Sequence, residues 1–418
     1  MPERGASGKD RFDVAIAGGG LVGRALALAL ARFAPQGFRV ALIDAEPMQS
    51  QRNGADDARA LALSAATKNL LSALDLWTQL APSVQAIEAI EITDSALDAA
   101  LRPHFLGFDD EMKQNGTSAF MIEHGELARV LAAAVTAVPA IAMYASDRVT
   151  DFTAGPFFID ASLASGKAIA TSLLVAADGK RSLLRERAGI KCIGWSYPQI
   201  GIVTTVAHTR PHHGKAVQHF LPSGPFAILP LTGNRCSIVW TEDAAQGASI
   251  MAADETTFRD ELGKRFGHRL GEIALAGPRQ SFPLDMQIAR AFVADRLALI
   301  GDAAHVVHPL AGQGLNIGLR DTAALAETVV EAARLGLDIG GAVVLERYER
   351  WRRFDSAFSA AVMDGLNRLF SNDSAPLRTL RDLGLGLVDR APSVKRFLVR
   401  EAAGRTGTVP CLLTGASL

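Results

Sequence analysis

The stretch FDVAIAGGGLVGRALALALARFAPQGFRVALID, residues 12–44, decides the fold. Phe12 to Ala17 form a short apolar run, and Gly18-Gly19-Gly20-Leu21-Val22-Gly23 follows at once. An alanine- and leucine-rich, helix-compatible stretch extends to about Phe33, and a second apolar run from Phe38 to Ile43 ends at Asp44. Strand, tight glycine turn, helix, strand and terminal acid is the order a dinucleotide-binding βαβ unit requires. Gly18 permits the turn, Gly20 lets the backbone approach a pyrophosphate, and Gly23 lets the helix pack close to the sheet. The helix N-terminus receives phosphate charge, and Asp44 stands where a carboxylate accepts hydrogen bonds from a ribose. A glycine-rich turn in an unrelated α/β protein would explain the turn but leave the position of Asp44 to chance.

Two later segments repeat the pattern of a strand running into a polar turn. LLVAADGKRS, residues 173–182, reads as a buried strand ending at Asp178-Gly179, with a helical segment up to Gly189. Such an acid beside a conformationally free glycine can approach a cofactor, although strand-turn-helix junctions without function look the same. The strand Arg296 to Ile300 runs into GDAAHVVHPLAGQGLNIGLRD, residues 301–321. Gly301 and Asp302 stand at the strand's end, where a carboxylate can accept a hydroxyl hydrogen bond. Pro309 stiffens the loop, while Gly312 and Gly314, on either side of Gln313, allow close backbone passage. The helix after Gly314 directs its positive end at the same loop. His305 and His308 are three apart, but no third ligand completes a metal site, so no metal is expected. His308 either borders a substrate pocket or makes a structural hydrogen bond.

Composition narrows the class. A chain of 418 residues makes about two to four domains or one composite unit. Its 49% hydrophobic and 21% charged content belongs to a globular protein, and 43 basic against 44 acidic residues remove the global electrostatic argument for nucleic acid. Cys192, Cys236 and Cys411 are too scattered for a CxxC pair or a disulfide framework. The start, MPERGASGKDRFDVAIAGGG, lacks the pattern of a secretory signal, and Arg24 and Arg32 interrupt the longest apolar helix. A cytoplasmic protein is expected, with peripheral membrane contact still open.

With these three segments in this order, the chain resembles the group A flavoprotein monooxygenases, the aromatic-ring hydroxylases. The matching elements are Gly18 to Gly23, Asp178-Gly179, and Gly301 to Pro309. It is most similar to the ubiquinone-biosynthesis hydroxylase branch, through residues 301–321, DGLNRLFSND at 364–373, PLRTLRDLGLGLVDRAP at 376–392 and KRFLVREAAGRTG at 395–407. The resemblance spans residues 10–413. It implies an α/β fold, with a discontinuous FAD-binding Rossmann-like domain (10–83, 119–194, 283–350), an antiparallel-sheet substrate domain (84–118, 195–282) and a helical C-terminal region (351–418). It further implies that Gly18, Gly20 and Gly23 carry the FAD pyrophosphate and Asp44, more commonly Glu in the family, the adenosine ribose. Arg59 matches an arginine near the pyrophosphate and mobile flavin; without the family it reads as a solvated charge before an amphipathic helix from about Ser64 to Leu76. Asp178 and Gly179 would join the cleft, Gly301 and Asp302 would meet the ribityl or phosphate region, and the backbone from Gly312 through Gln313 and Gly314 to Asn316 would face the isoalloxazine. His124 falls where relatives place a polar residue against FAD, or at a helix start. NADPH or NADH would reduce FAD, and dioxygen would supply the oxygen inserted into an electron-rich ring. No proton-transfer residue is assigned.

The intervening segments, about Val84 to Phe108 and Trp195 to Phe282, contain the runs IGIVTTVAHT, AVQHFL, PFAILPL and CSIVWT, which fit a mostly antiparallel sheet over the cofactor domain. A prenylated phenol needs an apolar groove, which Phe220, Phe226, Leu229, Pro230 and His308 could line. His208, His212, His213 and His219 read as a solvated β connection rather than a metal site. Arg347, Arg350, Arg352 and Arg353 read as a basic surface facing solvent, anionic lipid or a partner in a ubiquinone-synthesis complex. LGLGLVDRAPSVKRFLVREAAG, residues 383–404, could lie on a membrane surface at the inner membrane. Three alternatives stay open: a hydroxylase of a soluble aromatic acid, a flavin reductase or halogenase, and a non-catalytic assembly protein.

Overall fold

The computed structural model describes residues 10–47, 57–94, 104–107, 119–308, 312–370 and 408–418. Pro309 and residues 376–407 therefore lie outside the described residues. Strand β1 (Asp10–Ala17), helix α1 (Leu21–Phe33) and strand β2 (Val40–Asp44) form the first unit. Val14 to Ala17 are all buried, the mark of a parallel strand covered on both faces. Eight consecutive residues of α1, Gly23 to Leu30, are buried, because the helix is wedged between the sheet and a later helix. The chain then forms β3 (Ala60–Ser64), α2 (Ala65–Ala73), β4 (Ala89–Asp94), β5 (Ala119–Glu123), α3 (His124–Thr136), β6 (Ile141–Ala145), β7 (Ala168–Ala176) and α4 (Leu183–Arg187). The second half builds β8 (Cys192–His208), β9 (Lys215–Leu221), β10 (Gly224–Leu231), β11 (Arg235–Asp243), α5 (Ala244–Ala252), α6 (Glu255–Phe266), β12 (Gln280–Ala289) and β13 (Leu297–Leu299), then two long helices, α7 (Gly314–Arg334) and α8 (Ala342–Phe370).

Strands β13, β7, β1, β2 and β6 lie side by side in that order, all parallel, in an eight-stranded sheet. The register brings Ala17 opposite Ala176 and Ala176 opposite Leu299. Three strand ends are thus level, and the turns after Ala17, Ala176 and Leu299 emerge together at the carboxyl edge, where open α/β sheets bind ligands.

A second, nine-stranded sheet contains β12, β8, β11, β10, β9 and β4 in that order. Its pairings are antiparallel except β9 with β4, which runs parallel from Lys215 opposite Ala89. One face carries α5 and α6 over Phe226, Ile228, Ile238 and Trp240. The other face, with Ala216, Leu229 and Leu231, packs on Ala60, Ala62 and Met121 of the small sheet that β3 and β5 form. His305–Val306 pairs with β12, so the chain leaving the Gly301–Asp302 turn is stitched into this second sheet. Among the described residues, no helix is long and apolar enough to cross a membrane.

Candidate active site at the carboxyl edge of the parallel sheet

The glycines of the first turn differ in their surroundings. At Gly18, φ is +114° and a Cβ would fall 2.1 Å from the Ala177 carbonyl oxygen. A Cβ on Gly23 would lie 2.0 Å from the Gly18 carbonyl oxygen. Gly20 differs, since a Cβ there would meet nothing within 4 Å, so its backbone faces open space at the N-terminus of α1. Gly19, which the motif reading passed over, is needed because a side chain would strike Asp44 at 2.2 Å. Arg24, read in the sequence only as a charge interrupting an apolar run, is buried, lies 3.7 Å from Asp44 and donates to the Ala128 carbonyl at 3.2 Å. Burial lowers its pKa, with Asp44 and Glu46 opposing.

The second turn places Asp178 at the start of α4, where Oδ2 accepts the Leu184 N–H at 3.3 Å. Its Oδ1 is buried without a hydrogen-bond partner among the described residues. A buried carboxylate oxygen left unsatisfied is costly unless a ligand supplies a donor. Gly179, at φ +82°, turns the chain back. Across the cleft Asp302 sits on the single turn Gly301–Ala303, entered at φ +59°. Solvent reaches Asp302, yet the surrounding protein walls desolvate it and raise its pKa, with His305, Arg59 and Lys180 pulling the other way.

Arg59 stands immediately before β3, and β3 separates it from α2. Its Nε donates to Asp57 Oδ1 at 2.8 Å and its Nη2 to Oδ2 at 2.6 Å, while the guanidinium lies 5.7 Å from the Phe282 ring centroid. His124 opens α3, donates its backbone N–H to the Arg59 carbonyl at 3.0 Å and holds Asp57 through Nδ1 at 2.9 Å. Burial and the neighbouring Arg59 lower its pKa.

Gly312 has φ +62° with a Cβ site 3.0 Å from Ala62, and Gln313 and Gly314 lead into α7. The Asn316 side chain is fully engaged within the protein. It accepts from the Ser64 N–H at 2.9 Å and the Thr67 hydroxyl at 2.7 Å, and donates to the Ala62 carbonyl at 2.8 Å. Asn316 therefore staples β3 to α7, and only its backbone can face a ligand.

The pocket residues divide by face. Phe226 is fully buried on the helix-covered face, T-shaped against Trp240 at 6.0 Å, so it is core and not pocket. Pro230 pairs with Cys236 of the same cluster and shares that face, which corrects its assignment as well. Leu229 packs on the opposite face, toward the small sheet. Phe220, three residues beyond Val217 on β9, alternates to that same side. His308 is buried edge-on to Tyr197 at 5.2 Å, beneath α8. The solvated reading fails for His208 and His219, which are buried, the first beside Cys236 and the second stacked on Phe226. Arg352 likewise is no surface charge: it is buried against Asp321.

A glycine turn shaped for a pyrophosphate, two acids on adjoining strand ends, and a second sheet stitched to the chain beside them fit a dinucleotide-binding flavoprotein of the aromatic-hydroxylase fold. The open face at Gly20 and the unsatisfied Asp178 oxygen fit that dinucleotide. A family described as "FAD binding domain" matches residues 11–358. The chain is 43% identical to a ubiquinone hydroxylase, UbiL, of Rhodospirillum rubrum, over 94% of this chain and 89% of that one. It is 34% identical to the 3-demethoxyubiquinol 3-hydroxylase of Escherichia coli, over 94% and 98% respectively. The fold is similar to that of p-nitrophenol 4-monooxygenase PnpA from Pseudomonas putida DLL-E4, with a TM-score of 0.77, 19% identity, and coverage of 96% and 100%. The chain belongs to the FAD-binding group A aromatic hydroxylases, as a FAD-dependent monooxygenase related to the ubiquinone-biosynthesis hydroxylases.

Proposed function

We propose that the protein hydroxylates the aromatic ring of a polyprenylated phenol on the route to ubiquinone, consuming dioxygen and NADPH or NADH. The similarity to two quinone-ring hydroxylases along nearly the whole chain carries this reading. Bound FAD supplies the redox chemistry that activates dioxygen. The chain's residues have the tasks of binding, orienting and excluding water. Gly18, Gly20 and Gly23 with the N-terminus of α1 would receive the pyrophosphate, and Asp44, held by Arg24, the adenosine ribose. Asp178 and Asp302 would accept hydrogen bonds along the middle of the cofactor, and the backbone of Gly312 to Gly314 would border the ring. Arg59, fixed by Asp57 and His124, would stand near the pyrophosphate and the mobile flavin. The substrate ring would enter between this edge and the face of the second sheet that carries Phe220 and Leu229. An apolar tail favours action at a membrane surface, within a complex of quinone-synthesis proteins at the inner membrane.

The test begins with the visible spectrum of the purified protein and the mass of its released chromophore. Turnover of a prenylphenol under isotope-labelled dioxygen then reads the chemistry. One labelled oxygen per product is expected. Product without label, or a colourless protein that does not take up FAD, overturns the reading.

A further inference from the structure

Behind the cleft, buried charges converge on one backbone turn. Asp321 of α7 is wholly buried, and its Oδ2 accepts the Gly301 N–H at 3.0 Å and meets His305 Nε2 at 2.6 Å. Its Oδ1 accepts from Arg352 Nε, on α8, at 2.8 Å. Arg352 also pairs with Asp355, which holds Arg320 at 2.6 Å. From the opposite side Arg185 donates to the Ala303 carbonyl at 2.7 Å and to the Lys180 carbonyl at 2.9 Å. The turn is thus gripped on both sides of Asp302, at the Gly301 N–H and the Ala303 carbonyl. Replacing a buried ion pair with apolar residues is often neutral or stabilising, so stability alone is a weak reason to assemble these charges. Fixing one geometry is a better one, because a charge-assisted bond to a backbone N–H sets where the next residue's carboxylate stands.

We propose that Asp321 is a positioning residue of the flavin site: with Arg352 it fixes the Gly301–Ala303 turn and thereby the Asp302 carboxylate. The inference rests on Asp302 contacting FAD, as argued above. Arg352 lies on α8, so that helix becomes part of the flavin site without touching the cofactor.

Apoprotein of the wild type, D321N, D302A and the double variant is titrated with FAD by flavin fluorescence, well below each variant's Tm. D321N and D302A are each expected to weaken binding about tenfold, and the double variant to bind within about twofold of D302A, since both residues act through one contact. Wild-type affinity in D321N, whatever its Tm, overturns the proposal, as does a loss that multiplies in the double variant. Wild-type affinity in D302A removes the placement of FAD itself, and this inference with it. If D321N does not fold, R352K retains the charge while losing the fork geometry, and about threefold weakening is expected; unchanged affinity overturns the proposal. Glu327→Ala, which deletes the acceptor of the Cys411 N–H elsewhere on α7, is expected to lower Tm and leave FAD affinity within about twofold. A loss equal to that of D321N would mean general loosening of α7 and would also overturn it.

Discussion

His308 shows how burial alone can make a residue sensitive to pH. Enclosed beneath α8 and edge-on to Tyr197, its imidazole is pushed by desolvation down to about 4 from an ordinary value of 6.5, with the Asp364 carboxylate opposing weakly. Between those two values the unfolded chain takes up a proton that the folded chain does not. The stability this group contributes is therefore complete above pH 6.5 and is lost as pH falls toward 4. A shift of this size corresponds to about 3 kcal/mol. Urea unfolding of the wild type and His308→Gln at pH 7 and about pH 4.5 isolates it, because other acid-labile groups cancel in the difference. The wild type is expected to lose about 2–3 kcal/mol more than the variant on acidification. A difference that does not move with pH would mean that the folded imidazole titrates as it does in water. Sequence spacing leaves His308 between a pocket border and a structural hydrogen bond, since periodicity carries no information on how deeply a loop residue is covered.

At the scale of elements, the β1–turn–α1 unit separates glycines that the fold needs from one that a ligand needs. Gly23→Ala puts a methyl group 2.0 Å from the Gly18 carbonyl and is expected to destabilise the apoprotein by about 2–4 kcal/mol. Gly20, at φ −68° and ψ −178°, has backbone angles that alanine adopts freely and open space around its Cβ site. Gly20→Ala is expected to leave apoprotein stability within about 0.5 kcal/mol while weakening FAD binding at least about tenfold. Thermal melts of the apoproteins and FAD titrations decide it, and an equal loss of stability in both variants would refute the distinction. This unit was readable from sequence because strand, turn and helix signals all lie within a few residues of one another. The second sheet was readable as strands but not as faces. Phe226 and Leu229 both sit on β10, where both faces are apolar, one under α5 and α6 and the other against the small sheet. Alternation separates two faces without saying which one helices cover, and it is the face of Phe226 and Pro230 that lies under α5 and α6.

Over the whole molecule, α8 joins the two sheets, and this link was the least readable feature in the sequence. The contacts of Arg352 with Asp321 and of Asp364 with Tyr197 connect residues far apart in the chain, and no local period announces them. The first half of the helix is tied to the parallel sheet: the Tyr348 hydroxyl donates to the Leu299 carbonyl at 2.7 Å, and Glu349 accepts the Phe292 N–H at 2.8 Å. The second half is tied to the antiparallel sheet, where the Tyr197 hydroxyl donates to Asp364 at 2.6 Å and Asn367 donates to Gln199 at 3.2 Å. If the halves are anchored independently, loosening one should leave the other in place. Tyr197→Phe removes a hydrogen bond to a charged acceptor, worth about 1.5–3 kcal/mol. Amide hydrogen exchange is then expected to accelerate about tenfold or more across residues 358–367 and stay unchanged across 342–352. Uniform acceleration along α8 would instead show that the helix opens as one unit, and that a disturbance at the antiparallel sheet reaches Arg352, Asp321 and the Gly301–Ala303 turn directly.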